Sequence, residues 1–186
     1  GHQDQAQVAR LLADPRSRSL VTNFAFQWLD VRGLDSITPD PRLYPDFDEA
    51  LRAAFVKEME LFVDSILRED KSVLDLLTAD YTFVNDRLAR HYGITDVRTD
   101  RFQRVELTDS RRFGLLGKGS VLMATSYPDR TSPVVRGVWI MEHLLGTPPS
   151  SPPPGVETNL TAVEGARPAS VRERLEMHRS VSSCNH

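Results

Sequence analysis

The 186-residue chain is long enough for one sizeable core with residues left over for a tail, and its 40% hydrophobic and 26% charged content is ordinary for a globular domain. A net charge of −3 argues against general nucleic-acid binding, the single cysteine excludes an intrachain disulfide, and no run of about 18 apolar residues is present to span a membrane. The opening Gly1-His2-Gln3-Asp4-Gln5 lacks the basic-then-apolar order of a signal peptide and reads as a cut through a continuing polypeptide.

Charge is unevenly spread. Residues 1–86 hold 9 Lys/Arg against 16 Asp/Glu, residues 87–136 hold 10 against 5, and residues 137–186 hold 4 against 5. Either the acidic and basic parts face each other within the fold, or the basic part docks an acidic partner.

Apolar residues recur at helical spacing along most of the chain. The pattern predicts a helix over about 4–13, ended by Asp14-Pro15, and a second over about 16–31. In the second, Leu20, Val21, Phe24, Trp28 and Val31 form one stripe, and Gly33 stands where a C-terminal cap is expected. A long helix over 46–68 follows, with Asp46 and Glu49 spaced as a capping box and Phe47, Leu51, Phe55, Met59, Phe62 and Ile66 on one face. On its solvent side Asp48–Arg52 and Asp64–Arg68 read as i,i+4 pairs.

Short helices are predicted over 72–77 and 82–92, the latter with Val84 and Leu88 inward and Gly93 at its exit, and a weakly alternating stretch over 97–107 suggests an extended segment. A helix over 110–125 contains Gly114, Gly117 and Gly119, which suggests close approach to a neighbouring backbone. A glycine-rich phosphate loop finds no support, because no Gly-Lys-Ser/Thr order follows a strand. Ser132-Pro133 opens a further helix as N-cap and first-turn proline, and Gly146 closes it. Five prolines between 148 and 154 then impose an extended spacer, after which Ser170 and Glu173 form a second capping box for a helix over 171–180. The expected fold is all-α: an irregular multi-helix core over 1–147, a Pro-rich linker over 148–169 and a short C-terminal helix.

No self-contained active site is recognised. His91 sits at a predicted helix C-terminus, where the helix dipole favours a cation, and His143 lies four residues after Trp139 on an apolar helix, as a partly buried histidine would. The carboxylates of the long helix read as solvated surface, and no short metal-binding cluster stands out. Arg130, Thr131, Ser132 and Arg136 gather donors at a predicted helix start, which suits an anion or an acidic partner, although a capped helix with internally bonded arginines explains the same residues. Cys184-Asn185-His186 is either half of a zinc site or, if the chain continues Cys-His, the start of the Cys-x-x-Cys-His attachment motif of c-type haem.

Several segments carry a resemblance in chain order. They are Phe26-Gln27-Trp28-Leu29, Tyr44-Pro45-Asp46-Phe47-Asp48, Asp80 to Asn85, His91-Tyr92-Gly93-Ile94, Thr131-Ser132-Pro133-Val134, Leu144 to Pro149, and Arg172 to Leu175 with His178-Arg179. The chain resembles planctomycete-type multidomain proteins of unknown function that combine planctomycete-specific domains with a planctomycete cytochrome C domain. The resemblance implies that residues 170–186 begin a truncated cytochrome c-like domain. It also implies that Cys184 is the first haem-attaching cysteine, that haem c belongs to the parent protein rather than to this stretch, and that the location is extracytoplasmic.

Three functional readings follow in order for the parent protein. The first is a helical module supporting electron transfer or assembly beside haem c. The second is a binding or scaffold module of a cell-envelope assembly with no redox role, and the third is part of an enzyme acting on extracellular polymers. For this stretch alone the scaffold reading leads. The partners expected are the parent's other domains and a redox or cell-envelope protein, with neither nucleic acid nor a membrane span.

Overall fold

The computed structural model describes residues 2–150 together with Ser170, Arg172, Glu173 and Glu176. The chain divides into two compact units, Gly1–Thr147 and Pro148–His186.

The first unit is built around α3 (Glu49–Arg68), which follows α1 (His2–Ala13) and the three-residue α2 (Phe26–Trp28). Along α3, Leu51, Phe55, Met59, Phe62 and Ile66 are buried, as their spacing predicts. Its start differs from the expected capping box. Asp48, not Asp46, is the N-cap, accepting the Leu51 amide at 2.7 Å. Asp48 is therefore not the i,i+4 partner of Arg52, and it pairs with Arg87 instead. Arg52 turns inward, buried against Glu49 and the carbonyls of Leu34 and Ile37. Asp64–Arg68 forms as predicted, at 3.1 Å.

Helix dominates, but two small antiparallel sheets correct the all-α expectation. The expected helix over 82–92 splits in two. Tyr81–Val84 is strand β1, in keeping with its aromatic and β-branched residues, and Asn85 then caps α5 (Asp86–Tyr92) by accepting the Leu88 amide at 3.0 Å. The extended stretch supplies β2 (Gln103–Glu106), paired to β1 with Tyr81 opposite Glu106 and Val84 opposite Gln103. Between α3 and β1 lies the one-turn α4 (Asp75–Thr78), three residues later than the predicted start.

Residues 16–31 are not one α-helix. A short 3-10 turn (Pro15–Arg18) leads into a π-helical turn (Leu20–Ala25) before α2. The wider turn rotates the apolar face, so Val21, Ala25, Phe26 and Leu29 are buried while Leu20 and Phe24 are exposed. The left-handed residue that ends this segment is Asp30, with φ 51°, and not Gly33. The Val31 amide then reaches back to the Phe26 carbonyl at 3.0 Å, the closure typical of a helix C-terminus.

The expected helix over 110–125 is also broken, into two 3-10 turns (Ser110–Arg112 and Leu115–Gly117) and α6 (Gly119–Ala124). Gly114 breaks it at φ 56°, and the two glycines after it sit at close approaches. A Cβ at Gly117 would lie 2.3 Å from the Arg112 backbone, and one at Gly119 would lie 2.2 Å from the Phe55 ring. A hairpin of β3 (Ser126–Tyr127) and β4 (Arg130–Thr131) then leads to α7 (Pro133–Trp139), which Ser132 caps, and to a second π-helical turn (Ile140–Leu144).

The two π-helical regions are locked by exchanged indoles. Trp28 donates to the His143 carbonyl at 2.6 Å, and Trp139 donates to the Leu29 carbonyl at 3.0 Å. Carbonyls left without a helical partner at these two helix ends thereby find donors.

In the second unit the Ser170–Glu173 box is present. The Ser170 amide donates to Glu173 Oε2 at 2.6 Å and the Glu173 amide donates to Ser170 Oγ at 3.2 Å. Residues 151–169 of the expected linker lie outside the described residues.

Candidate functional site: an apolar cleft backed by a buried polar network

Two features meet at Lys118-Gly119, just where α6 begins. The first is a buried network. Glu58, on the inner face of α3, is fully buried and accepts Thr82 Oγ1 at 2.5 Å and Tyr92 Oη at 2.6 Å. Tyr92 Oη in turn accepts the Gly119 amide at 2.8 Å. Lys118, also buried, donates from Nζ to the Tyr81 carbonyl at 3.1 Å and lies over the Phe62 ring, 4.3 Å from its centroid.

Burial raises the Glu58 carboxyl above the usual range, against the charge of Lys118 and the bonds from Thr82, Tyr92 and Gly119. Burial lowers the Lys118 ammonium to about 8, with Glu58 opposing that effect. The Tyr92 phenol is pushed well up, first by burial and then by the neighbouring Glu58. A buried acid and a buried base with these partners pin α3, β1, α5 and α6 to one another. Glu58, Thr82 and Lys118 are sealed from solvent, and Tyr92 is half-buried.

The second feature is a cleft of about 350 Å³ on the other side of Gly119. Its floor is Leu51 and Phe55 of α3 with Leu122 and Met123 of α6. One wall is the loop from Ile37 to Phe47, and the other is the β3–β4 hairpin with Tyr127 and Pro128. The loop is stiffened by Pro39, Pro41 and Pro45. Its Asp40 carboxylate accepts the Arg42 amide at 2.9 Å, while the Asp40 amide donates to the Pro128 carbonyl at 2.9 Å and ties one wall to the other. The cleft is therefore preformed, and its size and apolar lining fall in the range of small-molecule sites.

His91 lines this cleft, its ring edge-on to Phe55 at 5.4 Å. Contrary to the helix-dipole reading, the imidazole is held below its ordinary range, first by burial and then by Arg112 and Arg87. His143 lies elsewhere, against Trp139 at 5.4 Å, so the structure does not bring the two histidines together. Among the described residues no group of three or more His, Cys, Asp or Glu side chains is placed to hold a metal ion.

The donors singled out near the hairpin are dispersed. Arg130 pairs with Asp129 at 3.0 Å and covers the Tyr127 ring, and Ser132 caps α7 through the Val135 amide at 3.2 Å. Arg136 donates to Thr125 Oγ1 at 3.1 Å, while Thr131 lines the cleft. Cys184 lies outside the described residues. Glu58 escaped the sequence reading, which placed the helix's acids on the surface. The signal was present, because position 58 lies three residues after Phe55 and four before Phe62, on the apolar arc.

These features define a helix-dominated module with a preformed cleft and a sealed polar core. The chain belongs to the PSD4 family of proteins of unknown function (DUF1592), whose family model matches residues 2–94, half of the chain. Residues 112–186 match PSCyt3, a second description of a protein of unknown function (DUF1588), and both are planctomycete-type domains. No curated protein and no solved structure matches the chain. Among the described residues no helix is long and apolar enough to cross a membrane.

Proposed function

We propose that this chain is a helical module of a larger extracytoplasmic protein carrying haem c, where it supports electron transfer or assembly. The observation behind this reading is the tandem arrangement of the two families. The second bears a cytochrome-type name, PSCyt3, and its matched residues take in Cys184. Cys184-Asn185-His186 has the form of the first half of a Cys-x-x-Cys-His motif, in which two thiols form the thioether links and the following histidine ligates the iron. His186 lies inside that motif and cannot be its axial ligand.

The test is a denaturing gel stained for haem peroxidase activity. It uses the natural full-length protein and its Cys184→Ala variant, both made with a c-type maturation system. A stained wild-type band that Cys184→Ala weakens or abolishes is the expected result. An unstained wild-type band beside a control cytochrome that matures normally removes haem from the reading. What then stands is the second reading, a binding or scaffold module in a cell-envelope assembly, which the preformed cleft favours.

A further inference from the structure

We propose that the cleft between the Ile37–Phe47 loop and the β3–β4 hairpin binds a small organic cation, an ammonium carried on an aromatic or branched aliphatic body. This does not depend on haem and goes beyond the function proposed above. The lining is carbon-rich, with Phe47, Phe55, Leu122 and Tyr127 around a space large enough for such a body.

One formally charged side chain lines the cleft, that of Asp46, and no lysine or arginine lines it. The nearby cations already have partners. Arg52 bonds Glu49 and two backbone carbonyls and lies over the Phe47 ring, Arg130 pairs with Asp129 and covers the Tyr127 ring, and Arg87 pairs with Asp48 while donating to the Asp46 carbonyl. The Asp46 carboxylate itself has no hydrogen bond or ion pair among the described residues. Partial burial and the neighbouring Arg112 and Arg87 disfavour the cationic form of His91, against the opposing pull of Asp46. An anionic head would meet the Asp46 carboxylate, which no arginine or lysine pairs, whereas a cationic head would meet an acceptor at the rim and the Phe55 ring on the floor.

Two probes with one body and opposite heads decide the matter: 4-phenylbutylammonium and 4-phenylbutyrate. Each is titrated into the full chain while the Met123 and Leu122 methyl signals are followed by NMR. The expected result is that both signals move and that the ammonium binds at least about fivefold more tightly, the scale of a partly exposed charge pair. Asp46→Asn, at an exposed position, should erase the preference without moving the melting temperature. Equal binding of the two probes, a preference that survives Asp46→Asn, or methyl signals that neither probe moves would each overturn the proposal. A negative haem stain would leave all of these outcomes readable.

Discussion

Gly119 separates two regions that treat polar groups in opposite ways. On one side Glu58, Thr82 and Lys118 are withdrawn from water, Tyr92 is half-buried, and all four are bonded to one another or to backbone. On the other side the cleft is lined almost wholly by carbon, and its one carboxylate, Asp46, stands exposed. The comparison teaches where rigidity and access reside. A buried network whose members all have partners fixes backbone position, while an apolar surface left open to solvent offers free energy to a ligand. The network also crosses the boundary between the two families, since Glu58 and Tyr92 fall in the residues matched by the first and Lys118 in those matched by the second. Both segments contribute to one core within Gly1–Thr147.

The sharpest way to break the comparison is Glu58→Ala. It leaves Lys118 as an uncompensated buried cation and Tyr92 without its acceptor, so urea unfolding should show a loss of about 3–5 kcal/mol. A loss under about 1 kcal/mol would mean that the network does not hold the core. Gly119→Ala should cost up to about 3 kcal/mol, because its Cβ would stand 2.2 Å from the Phe55 ring, which the core and the cleft share. Methyl NMR of Met123 would report whether the displaced ring moves into the cleft.

The pH dependence gives a smaller and more specific signal. Burial brings Lys118 down to about 8 in the folded protein from the ordinary lysine value of 10.5 that it has when unfolded. Between those values the unfolded chain binds more protons, so this residue makes stability rise with pH. From pH 8 to 9.5 the gain should be about 1.5 kcal/mol by linkage. Tyr92, raised above the ordinary tyrosine value, works in the opposite direction only at higher pH. Urea midpoints at the two pH values should differ in the wild type, and that difference should shrink in Lys118→Met. An unchanged difference in the variant would place the titration elsewhere.

Legibility in the sequence followed the range of the interaction. Asp64–Arg68, the apolar face of α3 and the Ser132 and Ser170 caps are set by residues three or four apart, and each is present. Where two local signals competed, the nearer residue won. Asp48 displaced Asp46 as the cap because its carboxylate reaches the Leu51 amide directly. The uneven charge found partners across the fold in Arg87–Asp48 and Arg104–Glu69, in line with acidic and basic parts facing each other.

The sequence by itself determined a helix-rich chain, because helical periodicity and capping are short-range properties of neighbouring side chains. Tertiary structure alone decided that Tyr81–Val84 would be a strand, since its partner Gln103–Glu106 lies about twenty residues away and strand pairing is non-local. It also decided that Gly119 would sit against Phe55, that Glu58 would be sealed beside Lys118, and that a loop and a hairpin would enclose a cleft. Those outcomes depend on which distant surfaces pack together, and that is settled by the burial free energy of the whole core rather than by any local run of residues.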